Sequence, residues 1–548
     1  MITKIIIKKF KKLDAELELD SSVVFVGPNN SGKTSALQAI YFWAFGLKKW
    51  YEQKGTGSNA RKRTGAVINR KDIYNIPVPS LKQIWKDIQV RKSNNNIKIE
   101  IIVEGIINNT KWKVGLKFDY ANQETCYVKP VETKKEIIDL ALKEQVVLLP
   151  PMSGLTAEEY KLEPGTINIY LGQGKTADVI RNLCWYVYSN KKDKWDEIVH
   201  KIDEMFAVKF NDPEFSPDSG KIIVTYKEKN NEYDIINCGR GVQQVLLILT
   251  YIHFNPGSIV LIDEPDAHLE ILRQKQIFNL LQDILTRENS QLIIATHSEA
   301  LLNEAIQKSK IIAFIGKPHI VNSTSQVSKS LTTIGIDQYL LAEQKGWVIY
   351  LEGATDLSLL RSFAKLLKHP VYKYLETPFV NYIGNVPKLA KDHFYGLKEA
   401  YKDLKGIALF DNIDKQLRQD SDLLELMWER REIENYIPLP ETLKRFFEKQ
   451  IDIFSSNDLD IINEIISAEV PPAALNDKTH DFWVKTKISD DFLDKVLKKF
   501  AERKNIPILI SKKDYYILLD YAKSNEIDKE VKEKLDLIYQ IAKVEDKK

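Results

Sequence analysis

Apolar and polar positions change their period several times along the 548 residues, and each change predicts a change of element. Residues 2–7 and 22–26 are apolar runs of strand length. Residues 34–50 place apolar side chains at helical spacing, and residues 96–103 and 111–118 alternate as the two arms of a hairpin. Charged helical patterns then occupy 136–144 and 175–206, before strand patterns return at 221–227 and 258–262. After residue 340 a fresh cycle begins: strand 347–351, helix 356–367, strand 377–383, helix 388–404, strand 406–410, a second βαβ unit. From about residue 438 the chain reads as helical and charged, with one apolar run at 507–510. The fold class is α/β. Three parts are expected: 1–340 with a helical insertion at about 130–215, 341–437, and a helical region 438–548.

Composition narrows the class. The 44% hydrophobic and 28% charged content is ordinary for a globular chain, and the longest apolar runs, such as 245–250, fall far short of the ~18 residues a membrane span needs. Three cysteines (Cys126, Cys184, Cys238) supply neither a disulfide framework nor a clustered zinc site. The opening MITKIIIKKF has no signal-peptide pattern, so a soluble protein in a reducing cytoplasm, with no membrane partner, is expected. Net charge is only +3, from 79 basic and 76 acidic residues. Residues 48–100 nonetheless hold 13 Lys/Arg against four acids, which suits either a solvated surface or a face that tracks phosphates.

Residues Gly27-Pro28-Asn29-Asn30-Ser31-Gly32-Lys33-Thr34 fit G-x-x-x-x-G-K-[ST] between a predicted strand and a predicted helix, and Ser35 follows in that helix. Glycines let backbone N–H groups wrap phosphates, Lys33 reaches the outer phosphates of ATP, and the Thr34 hydroxyl ligates Mg²⁺. Downstream, the apolar strand 259–262 runs into Asp263 and Glu264. Acids at the C-terminal end of a parallel strand stand where α/β sheets bind ligands, so Asp263 is expected in the Mg²⁺ shell and Glu264 against the attacking water.

These sites, with DEPDAHLE at 263–270, a second strand 292–296 ending at His297, and Cys238-Gly239-Arg240-Gly241-Val242-Gln243-Gln244 upstream, resemble ABC-type ATPases of the chromosome-maintenance and recombination branch. The resemblance covers about residues 1–340. It implies two heads sandwiching ATP, His297 near the γ-phosphate, and a loop containing Gly241 and Gln243 lent to the partner's nucleotide. Arg240 stands where that family commonly has serine, and is either an arginine finger acting in trans or the partner of an acid.

In the second βαβ unit, strand 347–351 ends at Glu352, Asp356 opens the next helix, and strand 407–410 delivers Asp411, with Asp414 three residues on. Carboxylates gathered on one sheet rim suit hard divalent cations. The stretch 346–436 resembles a Toprim domain, with one departure: Asp411-Asn412-Ile413-Asp414 replaces the usual Asp-x-Asp. Glu432 and Glu434 are further candidate ligands. Among Lys485, Lys487, Lys512 and Lys513, the resemblance points to Lys512 or Lys513 as the cation that neutralises the transition state.

An ABC-type ATPase followed by a Toprim domain is the arrangement of overcoming-lysogenization-defect (OLD) nucleases, which include the large subunit of the Gabija system. The resemblance implies an ATP-regulated DNA endonuclease using Mg²⁺ or Mn²⁺ in bacterial anti-phage defence. It also implies a homodimer or larger assembly, joined by a second defence protein or a phage trigger. Two other readings stay open: an ATPase sensor of phage proteins controlling a Toprim-like effector aimed at RNA, and a DNA-binding ATPase whose Toprim domain is inactive.

Overall fold

The computed structural model describes residues 1–55, 65–92, 95–131, 134–228, 231–315, 317–321, 334–413, 417, 421–449 and 456–547. The chain divides into two compact units, Met1–Ser328 and Lys329–Lys548. Helix Ile336–Lys345, which the sequence reading divides at residue 340, belongs to the second.

The first unit holds two six-stranded sheets. One is antiparallel. It is built from β1 (Ile2–Phe10), β2 (Leu13–Glu18), β4 (Ala66–Asn69), β5 (Ile99–Ile107), β6 (Thr110–Tyr120) and β7 (Thr125–Val131), in the order β2-β1-β5-β6-β7-β4. The alternation read at 96–118 is the β5–β6 hairpin, with Ile101, Val103, Val114 and Leu116 buried. The other sheet is built from β3 (Ser22–Val26), β8 (Val146–Leu149), β9 (Ile259–Asp263), β10 (Gln291–Thr296), β11 (Lys310–Ala313) and β12 (His319–Ile320), in the order β8-β9-β10-β3-β11-β12. Its strands are parallel except β12. Parallel strands are covered on both faces, which is why β3, β9 and β10 carry continuous apolar runs, with polar residues only at their ends, rather than alternating. Helix α1 (Lys33–Lys54) shares one apolar core with residues of both sheets. Trp43 stacks on Trp112 at 5.7 Å and donates its indole N–H to the Val114 carbonyl at 3.0 Å. Gly46 permits the close approach, since a Cβ there would stand 2.8 Å from the Phe118 ring.

The helical insertion expected at about 130–215 is interrupted. β7 ends in it, and Val146–Leu149 is an edge strand of the parallel sheet, a four-residue apolar run too short for periodicity to assign. Helices do occupy Ile180–Asn190 and Lys192–Phe206. Among the described residues, no helix is long and apolar enough to cross a membrane.

The second unit is a four-stranded, all-parallel sheet of β13 (Trp347–Leu351), β14 (Val380–Tyr382), β15 (Lys405–Phe410) and β16 (Leu423–Met427), in the order β14-β13-β15-β16. Helix α2 (Ala354–Leu366) follows β13. The sequence reading sets 438–548 apart, but its helices close the same core: Trp347, Leu360 and Leu409 form one buried cluster with Phe447, Phe492, Leu519, Leu535 and Ile538. A small parallel sheet needs cover on both faces, and the C-terminal helices help supply it.

One ion pair within this region gives a pH prediction. Arg445 and Glu526 pair in fork geometry, with Arg445 Nη1 2.8 Å from Glu526 Oε2 and also bonded to the Tyr521 carbonyl at 3.0 Å. The guanidinium holds the Glu526 carboxyl at about 2, below its ordinary 4.5. The folded chain therefore binds this proton less readily than the unfolded one, so the contribution is complete above pH 4.5 and is lost as pH falls toward 2. Glu526→Gln is expected to cost about 1 kcal/mol at neutral pH, and the gap in thermal unfolding between variant and parent should shrink at pH ~3.

Candidate functional site

The turn between β3 and α1 is shaped by conformations that ordinary residues avoid. Gly27, Asn30 and Gly32 have φ of +152°, +64° and +107°, and a Cβ on Gly27 would lie 2.8 Å from the Phe314 carbonyl. Phe314, just past β11, is held there by its own N–H donating to Val26 O at 2.7 Å. Lys33 is 6% exposed, and its Nζ donates to the carbonyls of Gly27 (2.8 Å) and Pro28 (3.0 Å) across the loop. Burial pulls its pKa down, opposed by the charges of Asp263 and Glu264. The Ser31 hydroxyl is buried without a hydrogen-bond partner among the described residues. A buried cation resting on two carbonyls and an unpaired hydroxyl, within a loop folded around backbone N–H groups, fit a nucleotide's phosphates. Asn29 and Asn30 stand exposed on the same loop, and Ser35 is partly buried in the first turn of α1.

The carboxylates come from the neighbouring strands. Thr34 Oγ1 donates to Asp263 Oδ2 at 2.8 Å, so the two residues expected around Mg²⁺ already touch. Burial pushes the Asp263 carboxyl up to about 6. Glu264 follows at φ +52°, its N–H donating to Ala295 O at 2.8 Å, and its Oε1 lies 3.4 Å from His297 Nδ1. The loop after β9 thus turns the Glu264 side chain toward the residue that follows β10. Two residues missed from sequence brace this loop. Buried Asp266 accepts from Thr296 Oγ1 at 2.6 Å, and Gln244 reaches the Pro265 carbonyl at 3.4 Å.

Helix α3 (Arg240–Phe254) carries the segment upstream. Arg240 is its first residue, exposed and without an ion pair among the described residues. Of the two fates left open for it, pairing with a described acid of its own chain is not what the structure contains. Gly241 allows a close approach, since a Cβ would stand 3.1 Å from His268 O. Gln243 requires correction: it is buried and donates its amide to the carbonyls of Ile235 (2.9 Å) and Cys238 (3.0 Å), which pins the turn from inside instead of facing a ligand.

In the second unit, β13 and β15 are parallel neighbours in register Ile349↔Ile407, so their C-terminal ends share one rim. Glu352, Asp356 and Asp411 meet there. The Glu352 N–H donates to Asp356 Oδ2 at 3.0 Å. Burial, then the Glu352 charge, pushes Asp356 to about 6. Burial, a hydrogen bond with Glu352 and the Glu352 and Asp356 charges hold the Asp411 carboxyl well above its ordinary range. Asn385, at φ +58°, was missed from sequence: its Oδ1 accepts from the Asp411 N–H (3.0 Å) and its Nδ2 donates to Asp411 Oδ2 (3.2 Å).

Glu434 is 3% exposed, and burial, then Glu432 and Asp356, push it to about 8, with Lys512 opposing. Glu432 itself accepts the Ser489 N–H at 2.6 Å and caps the turn Ile433–Tyr436, a structural post in place of the ligand role expected. Lys512 Nζ lies 3.4 Å from Asp490, which also pairs with Lys487 at 2.6 Å. Lys485 pairs with Asp481, and Lys513 is exposed. Asp414 lies outside the described residues. Among the described residues, no three His, Cys, Asp or Glu side chains stand close enough to hold a metal as they are. The oxygen-only donor set nonetheless has the chemistry of Mg²⁺ or Mn²⁺ ligands, and a cation would relieve the repulsion among these carboxylates.

Comparison with known proteins bears on the first unit. Residues 1–150 match the family described as "AAA ATPase domain", and residues 187–303 match "AAA domain, putative AbiEii toxin, Type IV TA system". Protein ea59 of Escherichia phage lambda is 29% identical over 110 residues, which is 20% of this chain and 21% of that protein. The chain thus spans about a fifth of that curated relative. Two solved structures resemble it: the Smc head domain with an extended coiled coil derived from Pyrococcus furiosus (16% identity, TM-score 0.36, 61% of this chain and 99% of that one), and the SMC head domain from Thermotoga maritima (15%, 0.33, 59% and 99%). The phosphate-cradling loop lies within the first of these matches and Asp263, Glu264 and His297 within the second, so the first unit holds an ATPase domain similar to those of the AAA type.

Proposed function

We propose that the chain is an ATP-regulated, Mg²⁺-dependent endonuclease of the OLD type, an ATPase head joined to a Toprim domain, acting on duplex DNA in the bacterial cytoplasm during anti-phage defence. The observation that carries this reading is the gathering of Glu352, Asp356, Asp411 and Glu434 near Lys512 at one rim of a parallel sheet, in a chain that also holds an ATPase. The AbiEii-toxin, type IV TA-system wording of one matched family is in keeping with a defence role.

At the ATP site, Lys33 leaves the Gly27 and Pro28 carbonyls for the outer phosphates, Thr34 and Asp263 hold the cation, and Glu264 orients the water and takes its proton, with His297 beside it. At the acidic site, Glu352, Asp356 and Asp411 would hold a divalent cation, which would supply Lewis-acid polarisation of the scissile phosphate and a more acidic water. Asn385 fixes the Asp411 carboxylate, and Lys512 would offset developing negative charge. Incubation of the pure protein with supercoiled plasmid and with tRNA, in Mg²⁺ or Mn²⁺, with and without ATP, tests the reading: plasmid nicking or linearisation is expected, and intact DNA and RNA under every condition would reject it.

A second reading, a DNA-binding ATPase with an inactive acidic site, draws on the absence of a ready-made three-acid cluster among the described residues. It predicts plasmid retardation without cleavage. RNA cleavage alone would instead favour an effector under the control of an ATPase sensor.

Head-to-head dimerisation gives exposed Arg240 a role. As a finger acting on the partner's ATP it would supply on the order of 10³-fold in turnover. Arg240→Ala should therefore depress ATP hydrolysis far more than ATP affinity, and mixing it with an equally inactive Lys33→Ala chain should restore part of the activity. Mixed dimers that stay inactive would place Arg240 outside the reaction.

A further inference from the structure

A buried cation in the first unit holds the segment that leads into Arg240. Arg181, in the first turn of helix Ile180–Asn190, is 1% exposed and takes no part in either site described above. Its Nη1 donates to the Thr156 carbonyl at 3.0 Å, and its Nη2 donates to the Ala157 carbonyl at 3.4 Å and to Asp234 Oδ1 at 2.7 Å. The backbone beneath it is fixed as firmly. Buried Glu159 accepts the N–H groups of Arg181 (2.9 Å) and Asn182 (2.6 Å), so the segment whose carbonyls receive the guanidinium also clamps the start of its helix. A charge out of water persists only where its donors are met, and a planar fork met by three oxygens has little freedom to move.

Asp234 passes this order on. Its Oδ1 also accepts the Ile236 N–H at 2.9 Å and so caps the turn Ile235–Asn237, which Gln243 holds as well through the Ile235 and Cys238 carbonyls. Ile235 and Cys238 are buried, whereas Ile236, Asn237, Gly239 and Arg240 are exposed, so a loop anchored at two points carries Arg240 outward at the start of α3. The other end of the clamp comes from the nucleotide side. Leu149, the last residue of β8, pairs with Ile262, one residue before Asp263, and the chain runs on from that rim to Thr156 and Ala157. Arg181 thus ties the segment leaving the ATP rim to the turn that presents Arg240. Position matters at this point, because a misplacement of about 1 Å can cost a catalytic contact roughly a hundredfold in rate.

We propose that Arg181 is a positioning residue for ATP hydrolysis: through Asp234 it fixes the loop that presents Arg240 to the ATP held by a second copy of the chain. This rests on Arg240 acting in trans, and the two are separated by experiment. Turnover and affinity for a non-hydrolysable ATP analogue are measured for the full chain carrying Arg181→Met, Asp234→Ala, Asp234→Asn or Arg240→Ala. Arg181→Met and Asp234→Ala should lower turnover at least about tenfold, with analogue affinity within about twofold of the parent. Asp234→Asn keeps an oxygen for both Arg181 and Ile236 and should recover most of that loss. The Asp234 side chain is 35% exposed, so its variants carry the test should Arg181→Met fail to fold. Mixing gives a readout that a loss of stability would not. With Lys33→Ala chains, Arg181→Met or Asp234→Ala should regain part of the turnover, because one composite site then has both an intact Lys33 and a well-placed Arg240. With Arg240→Ala chains neither should regain any, because each composite site lacks a working finger. Parent-like turnover of Arg240→Ala would reject the finger and this proposal with it. The positioning role alone would be rejected if Arg240→Ala is impaired while Asp234→Ala turns over like the parent, or if Lys33→Ala chains complement Arg240→Ala but not Asp234→Ala.

Discussion

Glu264→Gln is expected to lower ATP turnover by at least about a hundredfold while leaving ATP affinity near the parent value. The substitution keeps the side chain's shape and its place 3.4 Å from His297, but removes the carboxylate that takes the proton, a contribution of roughly 10²–10⁴ in rate. Lys33→Ala should act earlier. It deletes a charge-assisted bond to phosphate, about 1.5–3 kcal/mol, so affinity should fall by roughly ten- to a hundredfold or more. The two variants therefore separate in a binding titration with a non-hydrolysable ATP analogue and converge in a turnover assay. If Glu264→Gln hydrolyses ATP at the parent rate, another group activates the water, and Asp266 is the nearest alternative on the same loop.

Glu352→Ala and Asp411→Ala should each eliminate plasmid cleavage, by at least about a thousandfold, and leave ATP hydrolysis largely intact. Several kcal/mol of charge stabilisation depend on the cation these carboxylates would hold, and each 1.4 kcal/mol is about tenfold in rate. A second readout does not depend on cleavage. Mn²⁺ should raise the unfolding temperature of the parent, because a ligand bound only by the folded state stabilises it. Asp411→Asn should lose that response. Without metal it should be no less stable than the parent, since it removes a buried carboxylate that stands against Glu352 and Asp356. An unfolding temperature that ignores Mn²⁺ in the parent would dissociate the cluster from any metal. Asp414→Ala decides the irregular motif: a severe loss gives Asp414 the missing acid's part, and parent-like cutting shifts it to Glu434.

Much of this was legible in the chain, and for reasons that differ by element. The phosphate loop, Asp263, Glu264 and the strand ends at Glu352 and Asp411 depend on local patterns: an apolar run of strand length ending in polar residues, followed at the phosphate loop and at Glu352 by a glycine turn and a helix start. Such patterns survive in sequence because strand, turn and helix start are contiguous. The parallel pairing of β13 with β15 is expected where each strand feeds a helix, and α2 does follow β13, although β15 runs on to β16 with no helix among the described residues.

Tertiary structure alone decided the rest, because it depends on contacts between residues distant in the chain. Gln243, placed by its neighbours in a ligand-binding loop, spends its amide on Ile235 and Cys238 carbonyls, a choice set by burial and invisible to spacing. Glu432 and Glu434 lie two residues apart, yet one is consumed capping a turn and bonding Ser489 while the other is left buried near Asp356. Asn385 reaches Asp411 across 26 residues, which no local pattern announces. The strand Val146–Leu149 is four residues in a stretch read as helical, and only its ladder to Ile259–Asp263 makes it a sheet edge. A short apolar segment carries too little periodic information to name its own conformation, so hydrogen bonding to a distant strand decides it.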